Sequence, residues 1–448
     1  MEIDTSRAIE LGKELKSKGV EYCLATYVDI HGNPKAKTVP VDHLANMAKG
    51  SELFTVGAME GMGLVGPHED ECATVPDLDS CIQLPWDKRF AWFASDLYYH
   101  GEPYANDSRT ILKRQLARLK DRNWRMNLGI EPEFYVLRKT EDGYKPMVTQ
   151  PYKGTCPAYD VHQTTQSADF LIPIVDTMNK LGWGVYSFDQ EGGNGQYELD
   201  FDYTEALAMA DRFVFFRYMA RVIAEKQGLV ATFMPKPFPN DFRSGAHHNI
   251  SIEDIETGQN LFVGDKRSAA SHQGFSEMAL QFTGGLLEHA VAITAVSSPT
   301  YNSYQGLLAQ GDMPDSSWAP VIRCWGNNNR SAMLRLPMSR PCIENRAPDM
   351  TMNPYLSFAM HIGAGLDGID RKLDPGSPQN TNLYKESELE LLPRTLLDAM
   401  RGFQSDRLSE EVLGKEMKNI FLEQKKREWD RHYYQVSPQQ LEDMLTFV

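Results

Sequence analysis

Two glutamates in an otherwise apolar segment constrain the fold of this 448-residue chain more than any other feature. The segment reads Gly-Ile-Glu-Pro-Glu-Phe, and the two-residue period of a strand places Glu131 and Glu133 on the same face. Adjacent like charges destabilise such a face unless an opposite charge lies between them. A lone Glu-x-Glu is more often a solvated face than a metal site, so this interpretation depends on the rest of the chain.

Two further motifs add carboxylates of the same kind. Glu191 and Glu198 flank a Gly-Gly-Asn-Gly run, and this flexible turn allows both side chains to point at one place. Glu344 and Arg346 are two residues apart in a predicted strand, so an acid and a guanidinium share a face. His247 begins a His-His pair that, taken alone, is more typical of a surface or a core. Together these motifs predict carboxylates gathered for hard divalent cations, with an arginine for an anionic substrate.

Charge and motif content exclude several classes of protein. The net charge is −15 and is spread along the chain, which argues against nucleic acid or an anionic membrane as the main partner. Gly61, Gly63 and Gly66 match a dinucleotide-binding string, but Pro67 follows at once, where that motif requires a helix. A GxxxxGK[ST] phosphate-binding loop is absent from the sequence. We therefore interpret these glycines as part of a loop.

The cysteines and the N-terminus predict a location. None of the six cysteines forms a CxxC pair, and a chain of this length needs no disulfides, so we expect free thiols in a reducing cytoplasm. Met1 leads into acidic and polar residues rather than a signal peptide. The most apolar stretch, residues 290–296, is too short to span a bilayer. The expectation is a cytoplasmic enzyme.

The sequence pattern changes near residue 106. Before it, we predict a helix, a hairpin and two further strands, at 6–18, 22–30 with 35–41, 81–84 and 90–97. From Asp107 onward, leucines and isoleucines keep helical spacing behind an Asp/Ser cap. The chain is therefore predicted to form an N-terminal domain, 1–105, and a larger domain, 106–448.

The larger region mixes helices and short strands, which predicts an α+β or α/β class. Helices are predicted at 167–181, 204–227, 275–297 and 353–366. Strands are predicted near 128–138, 184–189, 196–202, 246–252, 332–337 and 342–347. The stretches 239–245 and 305–320 lack periodicity, as is typical of active-site loops.

The order of these motifs resembles the glutamine synthetase family over nearly the whole chain. The matching segments are Glu131-Pro132-Glu133-Phe134, the turn from Glu191 to Glu198, Phe233 to Phe238, Ser244-Gly245-Ala246-His247, Pro299 to Tyr304, Asn328 to Ser331, Ile343 to Asp349 and Asn353-Pro354-Tyr355. The resemblance implies an α+β fold, with an N-terminal β-grasp domain and a catalytic domain built on a curved antiparallel sheet. It also implies a homo-oligomer, expected here to be a dodecamer of two hexameric rings with sites between subunits.

The resemblance also implies roles for individual residues. Glu133, Glu191 and Glu198 would hold one Mg²⁺ or Mn²⁺, and Glu131, His247 and Glu344 the other, with two to three ions per site. Arg330, Arg346 and Glu344 are the implied catalytic residues. The implied ATP-binding residues are Lys236, Asn249, Ser251, Arg330 and Arg335, and the implied substrate-binding residues are Arg243, Gly245, Arg346 and Trp318. The implied reaction is ATP-dependent ligation of glutamate to an amine through an acyl phosphate.

The sequence departs from the family where ammonia-using members bind ammonium. It has no Asp-Gly-Ser-Ser string, and residues 303–318 contain no glutamate. A less polar amine would suit these changes, and the residues predicted to face it are Met59, Met62, Met313 and Trp318. The loop ending in Trp-Ala-Pro resembles the branch that makes γ-glutamylamides from alkyl or aryl amines such as methylamine, isopropylamine or aniline. The alternative is an ordinary glutamine synthetase whose ammonium site is rebuilt by Glu60, Asp312 or Asp315.

Other departures concern the acid substrate and regulation. Gly306 replaces an arginine that holds the α-carboxylate of glutamate in many members, and Phe242-Arg243 replaces an Asn-Gly pair. Either Arg243 or Arg323 supplies a relocated cation, or the acid is not glutamate. Tyr384 matches a tyrosine that is adenylylated in some bacterial members, but the residues after it differ. A third hypothesis, an inactive structural homologue, is disfavoured because all six metal-ligand positions keep competent side chains.

Overall fold

The computed structural model describes residues 5–59, 61–154, 156–265, 272–307, 318–384 and 388–446. Up to residue 103, the helices are α1 (Thr5–Ser17) and α2 (Leu44–Met47). The strands of this part are β1 (Tyr22–Val28), β2 (Pro34–Pro40), β3 (Glu52–Phe54), β4 (Cys72–Pro76), β5 (Ile82–Gln83), β6 (Phe90–Tyr99) and β7 (Glu102–Pro103).

The remainder of the chain carries most of the helices. They are α3 (Ser108–Lys120), α4 (Val161–Gln166), α5 (Ala168–Lys180), α6 (Ala206–Lys226), α7 (Glu277–Glu288), α8 (Ala290–Ser297), α9 (Tyr301–Gly306), α10 (Pro354–Arg371), α11 (Leu396–Ser405), α12 (Arg407–Leu413), α13 (Lys415–Tyr433) and α14 (Pro438–Met444). The strands are β8 (Trp124–Thr140), β9 (Gly143–Pro146), β10 (Val185–Gln190), β11 (Gln196–Phe201), β12 (Thr204–Glu205), β13 (Leu229–Thr232), β14 (Ala246–Asp254), β15 (Ile322–Asn327), β16 (Ala332–Leu336) and β17 (Ile343–Asn345).

The first sheet has seven strands and mixed direction. Its order is β2-β1-β6-β4-β3, with β5 and β7 also paired to β6. β1 and β2 form the predicted antiparallel hairpin, whereas β1 and β6 run parallel. Ala8 and Leu15 of α1 are buried in the core cluster beneath this sheet. The arrangement confirms the expected β-grasp architecture.

The second sheet has ten strands and carries the predicted functional motifs. Its order is β10-β11-β8-β14-β17-β16-β15, and β9, β12 and β13 also pair with β8. All pairs are antiparallel except β15 with β16. β8 is 17 residues long and lies at the centre, so its side chains face those of strands on both sides. The fold class is therefore α+β.

The core of the larger sheet extends to residues of the first sheet. Trp92 of β6 stacks on Tyr218 of α6 at 5.5 Å between ring centroids and meets Phe215 edge-on. Val28 and Ile30 belong to the same buried cluster as the helices behind β8. The two sheets lie on either side of residue 105, but the division into domains 1–105 and 106–448 stays a prediction.

One predicted helix is wrong in its extent. The segment predicted as a single helix at 275–297 consists of α7 and α8, joined at His289 and bent by 74°. His289 is buried between Asp367 of α10 and Asp406, which hold its ring at this corner. Among the described residues, no single helix has the length and apolar character needed to cross a membrane. The bent pair of α7 and α8 reaches that length and apolar character only when the two helices are counted together.

Candidate active site

Four neighbouring strands bring the predicted acidic motifs to one cavity. In the register of the sheet, Glu133 of β8 faces Glu198 of β11, and Glu131 faces His247 of β14. The cavity has a volume of about 600 Å³. Its lining residues are Glu131, Glu133, Cys156, Ala158, Tyr159, Tyr186, Asp189, Glu191, Gly192, Glu198, Asp200, Phe242, Arg243, Gly245, His247, Trp318, Ala319, Arg330, Arg335, Arg340 and Arg346.

Glu133, Glu191 and Glu198 form one candidate metal site. Each offers a carboxylate oxygen, and these oxygens all lie within 4.8 Å of one another. Burial, together with the facing charge of Glu191, raises the pKa of Glu133 to about 7 and raises the pKa of Glu198 well above its usual value. Carboxylates placed this closely are destabilised in their charged forms, and a hard divalent cation would relieve that repulsion.

Glu131, His247 and Glu344 form the second candidate site. Their ligand atoms also lie within 4.8 Å of one another. His247 Nδ1 is 3.0 Å from Glu131 Oε2 and 3.8 Å from Glu344 Oε1, while its Nε2 is 3.4 Å from Glu133 Oε1. The imidazole therefore lies between the two sets. The two groups have the same members as the two ligand sets predicted from the sequence.

Gly245 allows this close approach of ligands. Its N–H donates to Glu133 Oε2 at 2.8 Å, and its carbonyl accepts from the N–H of Glu133 at 3.1 Å. A Cβ at position 245 would lie 2.7 Å from His247 Nε2 and 3.1 Å from Glu133 Oε1. Any larger residue would therefore push the two ligand sets apart. The structure thus places Gly245 beside the ligands in the cavity wall, and its role toward substrate stays a prediction.

Arginines supply the positive charge in the wall of the cavity. Glu344 is fully buried and accepts hydrogen bonds from Arg346 and from Arg335, the latter at 2.6 Å. Burial alone would raise the pKa of Glu344, but the charge of Arg346 outweighs it and keeps this pKa below its usual value. Arg346 also donates to the carbonyl of Arg330 at 3.1 Å, and the side chain of Arg330 is exposed at the cavity. The three predicted arginines 330, 335 and 346 therefore line one cavity.

The cavity is also lined by three residues that were not predicted from the sequence, namely Arg340, Asp189 and Asp200. Arg340 donates to Glu131 Oε1 at 3.0 Å. Burial first, and the neighbouring carboxylates second, raise the pKa of Asp189 to about 7 and that of Asp200 to about 6. The strand period contained a signal for Asp200, which is two residues from Glu198 on the same strand face. For Arg340, which follows β16 in a loop, the strand period gives no such signal.

Three residues implied to bind ATP do not line the cavity. Lys236 is buried, and its ammonium donates to the carbonyl of Asp241. Asn249 donates from Nδ2 to Glu131 Oε1 at 3.0 Å, so it contacts a candidate metal ligand. Ser251 lies two residues farther along β14, paired with Asn127. Their roles toward ATP stay predictions.

The structure separates the two arginines considered for the acid substrate. Arg243 lines the cavity and is only 7% exposed. Arg323 is not among the lining residues; it donates to the carbonyls of Leu287 and Glu288 and pairs with Glu390 at 2.8 Å. The hypothesis that Arg323 supplies the relocated cation is therefore wrong for this cavity.

The residues predicted to face the amine are scattered. Trp318 lines the cavity and is 52% exposed, and its carbonyl accepts from Arg346 at 3.3 Å. Met62 is buried in a core cluster of the first sheet and Met59 packs against that cluster, so the prediction that Met62 faces an amine is wrong. The other candidate for contact with an organic amine and the three candidates for a rebuilt ammonium site lie outside the described residues. They are Met313, and Glu60, Asp312 and Asp315, respectively.

Tyr384 lies close to the cavity wall. Its hydroxyl donates to the carbonyl of Ala319 at 2.7 Å, and the residue is only partly exposed. Residues 385–387, which differ from the adenylylation motif, lie outside the described residues. Regulation at this tyrosine stays a prediction.

Two candidate divalent sites beside five arginines, on a curved and mostly antiparallel sheet, define a metal-dependent enzyme class that acts on anionic substrates. The family model described as glutamine synthetase, catalytic domain, matches residues 105–444. The chain belongs to the glutamine synthetase family, and it is an amide-forming, ATP-dependent ligase of that type.

Individual relatives cover nearly the full chain. A glutamate–methylamine ligase of Methyloversatilis universalis is 36% identical over 440 residues, covering 97% of this chain and 98% of the relative. A glutamine synthetase of Rhizobium meliloti is 37% identical over 428 residues, covering 95% and 96%. A solved structure described as a GmaS/ADP complex superposes with a TM-score of 0.91 at 35% identity, covering 98% of this chain and 99% of that one.

Proposed function

We propose that this protein joins the γ-carboxyl group of glutamate to an organic amine, forming a γ-glutamylamide while ATP is converted to ADP and phosphate. The observation that carries the proposal is the pairing of two carboxylate-rich metal sites with five arginines around one cavity. The similarity to a glutamate–methylamine ligase over 97% of the chain supports an alkyl amine as the second substrate. The apolar lining of Phe242, Trp318 and Ala319 supports it as well.

The donor groups fit two Mg²⁺ or Mn²⁺ ions. Glu133, Glu191 and Glu198 supply only hard oxygen ligands, and Glu131, His247 and Glu344 supply two oxygens and one imidazole nitrogen. The raised pKa values of Glu133 and Glu198 indicate that burial and neighbouring carboxylates outweigh the positive charges nearby. When bound, the ions would neutralise phosphate oxygens and orient them for transfer.

The reaction follows from the weak electrophilicity of a carboxylate. A γ-carboxylate oxygen of glutamate attacks the γ-phosphorus of ATP, ADP leaves, and γ-glutamyl phosphate forms. The amine nitrogen, in its neutral form, then attacks the acyl carbon; phosphate leaves and the nitrogen loses a proton. Arg330, Arg335 and Arg346 line the cavity where negative charge accumulates on the transferred phosphoryl group. Hydrogen bonds to Glu344 orient Arg335 and Arg346 before substrate arrives, and Arg346 also donates to the backbone carbonyl of Arg330.

The assembly and location are part of the same proposal. Members of this family are usually oligomeric, and we propose a dodecamer of two hexameric rings that uses glutamate and the amine as its small-molecule substrates. A cytoplasmic location is consistent with the six cysteines, all described and all free of disulfides. We assign no nucleic-acid or membrane partner.

The test is a comparison of amines with the purified full chain, ATP, Mg²⁺ and glutamate. Phosphate release and product mass are measured with ammonium, methylamine, isopropylamine and aniline. We expect an organic amine to exceed ammonium in kcat/KM by about tenfold or more, because an apolar wall rewards a carbon substituent. Glu198→Gln is the control, since phosphate release from this site should disappear with every amine.

The second candidate function is ammonia-dependent glutamine synthetase. The similarity to the Rhizobium meliloti glutamine synthetase favours it, at an identity close to that of the methylamine ligase. A higher kcat/KM for ammonium than for every organic amine would establish this alternative and overturn our proposal. Phosphate release with another acid, but not with glutamate, would instead point to a different carboxylate substrate.

A further inference from the structure

Arg243 occupies a space that exists only because residue 306 is glycine. A Cβ at position 306 would lie 2.6 Å from both Cγ and Cδ of Arg243 and 2.9 Å from its Cβ. Gly306 is the last residue of α9 and has no left-handed φ, so alanine is compatible with its backbone. A side chain at 306 and the observed position of Arg243 therefore exclude each other for steric reasons alone.

The guanidinium of Arg243 is fixed by two backbone carbonyls and keeps one buried donor without a partner among the described residues. Nη2 donates to the carbonyl of Ala347 at 2.5 Å, and Nη1 lies 3.5 Å from the carbonyl of Arg346. The buried carboxylate of Asp349 is 3.6 Å from Nη2. Nε is buried and has no hydrogen-bond partner among the described residues. A buried N–H of a charged group without an acceptor is costly, and it is a donor available to a ligand.

Three of the other arginines in the same wall already bind carboxylates, and the fourth, Arg330, is exposed. Arg335 and Arg346 both bind Glu344, and Arg340 binds Glu131. Arg243 follows Phe242 in the chain and is two residues before Gly245. Its counter-charge, Asp349, is not one of the cavity-lining residues. Arg243 is thus the buried cation of this wall that is not committed to a candidate metal ligand.

We propose that Arg243 holds the carboxylate of the acid substrate that does not react, through its Nε–H, and that Gly306 is the positioning residue that makes room for it. This inference rests on the proposed function, because it assigns the free α-carboxylate of glutamate to that guanidinium. The carboxylate would accept the unpaired donor in a buried setting, where a charge-assisted hydrogen bond is strong. The pair therefore selects an amino acid with an α-carboxylate over an acid that lacks one.

The test compares two acids within one preparation of enzyme. Glutamate and 4-aminobutanoate carry the same reacting chain end, but only glutamate has an α-carboxylate. We expect wild type to prefer glutamate in kcat/KM, and Arg243→Met to reduce that preference by about tenfold or more. Arg243→Lys, which keeps the charge, should retain part of it. Because the ratio is measured on the same folded protein, partial misfolding leaves it unchanged.

The positioning role of Gly306 is tested separately. Gly306→Ala should raise KM for glutamate about tenfold, with KM for ATP and for the amine changed less than about twofold. Gly12→Ala in α1 is the matched control, because a Cβ there meets atoms only at 3.5 Å or beyond. The double variant Arg243→Gly with Gly306→Arg, which moves the cation to the other side of the contact, should recover part of the preference for glutamate.

The failures of the two proposals are distinct. If wild type makes no γ-glutamylamide with any amine, the proposed function fails. If wild type makes the amide while Arg243→Met keeps the full preference for glutamate over 4-aminobutanoate, only the role of Arg243 is overturned. An equal loss with both acids in Gly306→Ala would assign a purely structural role to that glycine.

Discussion

Two buried charge clusters in this protein are built on opposite principles. Around Arg109, one guanidinium at 2% exposure donates to Asp77, Asp96 and Asp211 at 2.8 to 3.1 Å. In the cavity, Glu133, Glu191 and Glu198 face one another within 4.8 Å. The first cluster supplies its own counter-charge, whereas in the second the carboxylates outnumber the nearby imidazole of His247.

The protonation behaviour of the two clusters shows the same difference. Burial alone would raise the pKa of Asp77, but the hydrogen bond and charge of Arg109 hold it below its usual value. In the cavity, burial and the charge of Glu191 act in the same direction and raise the pKa of Glu133 to about 7. Arg109 thus holds the pKa of Asp77 low, whereas burial and a facing carboxylate raise that of Glu133.

Removal of Arg109 should produce the largest loss of stability. Arg109→Met leaves the buried Asp96 and the partly buried Asp77 and Asp211 without their common partner, and the expected cost is about 3–5 kcal/mol in the free energy of unfolding. Denaturant unfolding of the metal-free protein measures it. The control is Arg7→Met, which removes an exposed, solvent-screened pair with Asp79 and should cost far less. Equal effects of the two variants would contradict the comparison.

A neutral substitution in the cavity should act in the opposite direction on stability. Glu198→Gln removes one of three mutually repelling carboxylates, so the metal-free protein should be no less stable than wild type. Amide formation should fall by about 100-fold or more, because one ligand of a divalent ion is lost. Unfolding in EDTA and steady-state kinetics of the same variant measure both effects. A clear loss of stability without metal would mean that these carboxylates are compensated within the chain.

Addition of a divalent ion should distinguish the clusters directly. At a Mg²⁺ concentration about thirtyfold above its dissociation constant, the native state should gain about 2 kcal/mol, and EDTA should reverse the gain. The shift in unfolding temperature should vanish in a Glu133→Gln, Glu198→Gln double variant. The Arg7→Met variant, which lacks only an exposed ion pair, should keep the metal-induced shift in unfolding temperature. A metal response that survives the double variant would place the bound ion elsewhere.

The strand period explains why most of the site was predictable from the sequence. Glu131, Glu133, Glu198 and Glu344 lie on strands, where alternation fixes the face of each side chain before the fold is known. Their grouping into two sets came from the resemblance to a family, and the register of β8 with β11 and β14 places the same residues together. The strand period thus determined the face to which each side chain points, and the sheet register determined how close the side chains of different strands lie.

Contacts between distant loops could not be predicted in this way. Arg340 reaches Glu131 from a loop after β16, and Gly306 meets Arg243 across a separation of 63 positions that no local period describes. The segment after residue 371 received no helix prediction, although α11 to α14 follow in it. The corner at His289 was also missed, because apolar periodicity continues through 275–297 while buried acids from α10 and from Asp406 fix the ring there.

His289 offers an intermediate case and the smallest expected effect. Burial disfavours its charged form, but the hydrogen bonds that it donates to Asp406 and Asp367 outweigh burial and raise the pKa above the usual value of 6.5. Its Nδ1 is 2.8 Å from Asp406 and its Nε2 is 2.9 Å from Asp367. A raised pKa means that the charged imidazole stabilises the fold. That contribution is complete below about pH 6.5 and is lost as the pH rises through the folded-state value.

His289→Gln should therefore destabilise the protein by about 1–2 kcal/mol at pH 6 and by less at pH 9. Denaturant unfolding of variant and wild type at both pH values measures the difference. His100→Gln is the matched control, since His100 is exposed and lies 3.5 Å from an exposed aspartate, Asp70. A cost that is the same at both pH values would mean that the imidazole acts at the corner of α7 and α8 as a neutral donor. In that case this cluster would be held by hydrogen bonds rather than by the charge balance seen around Arg109.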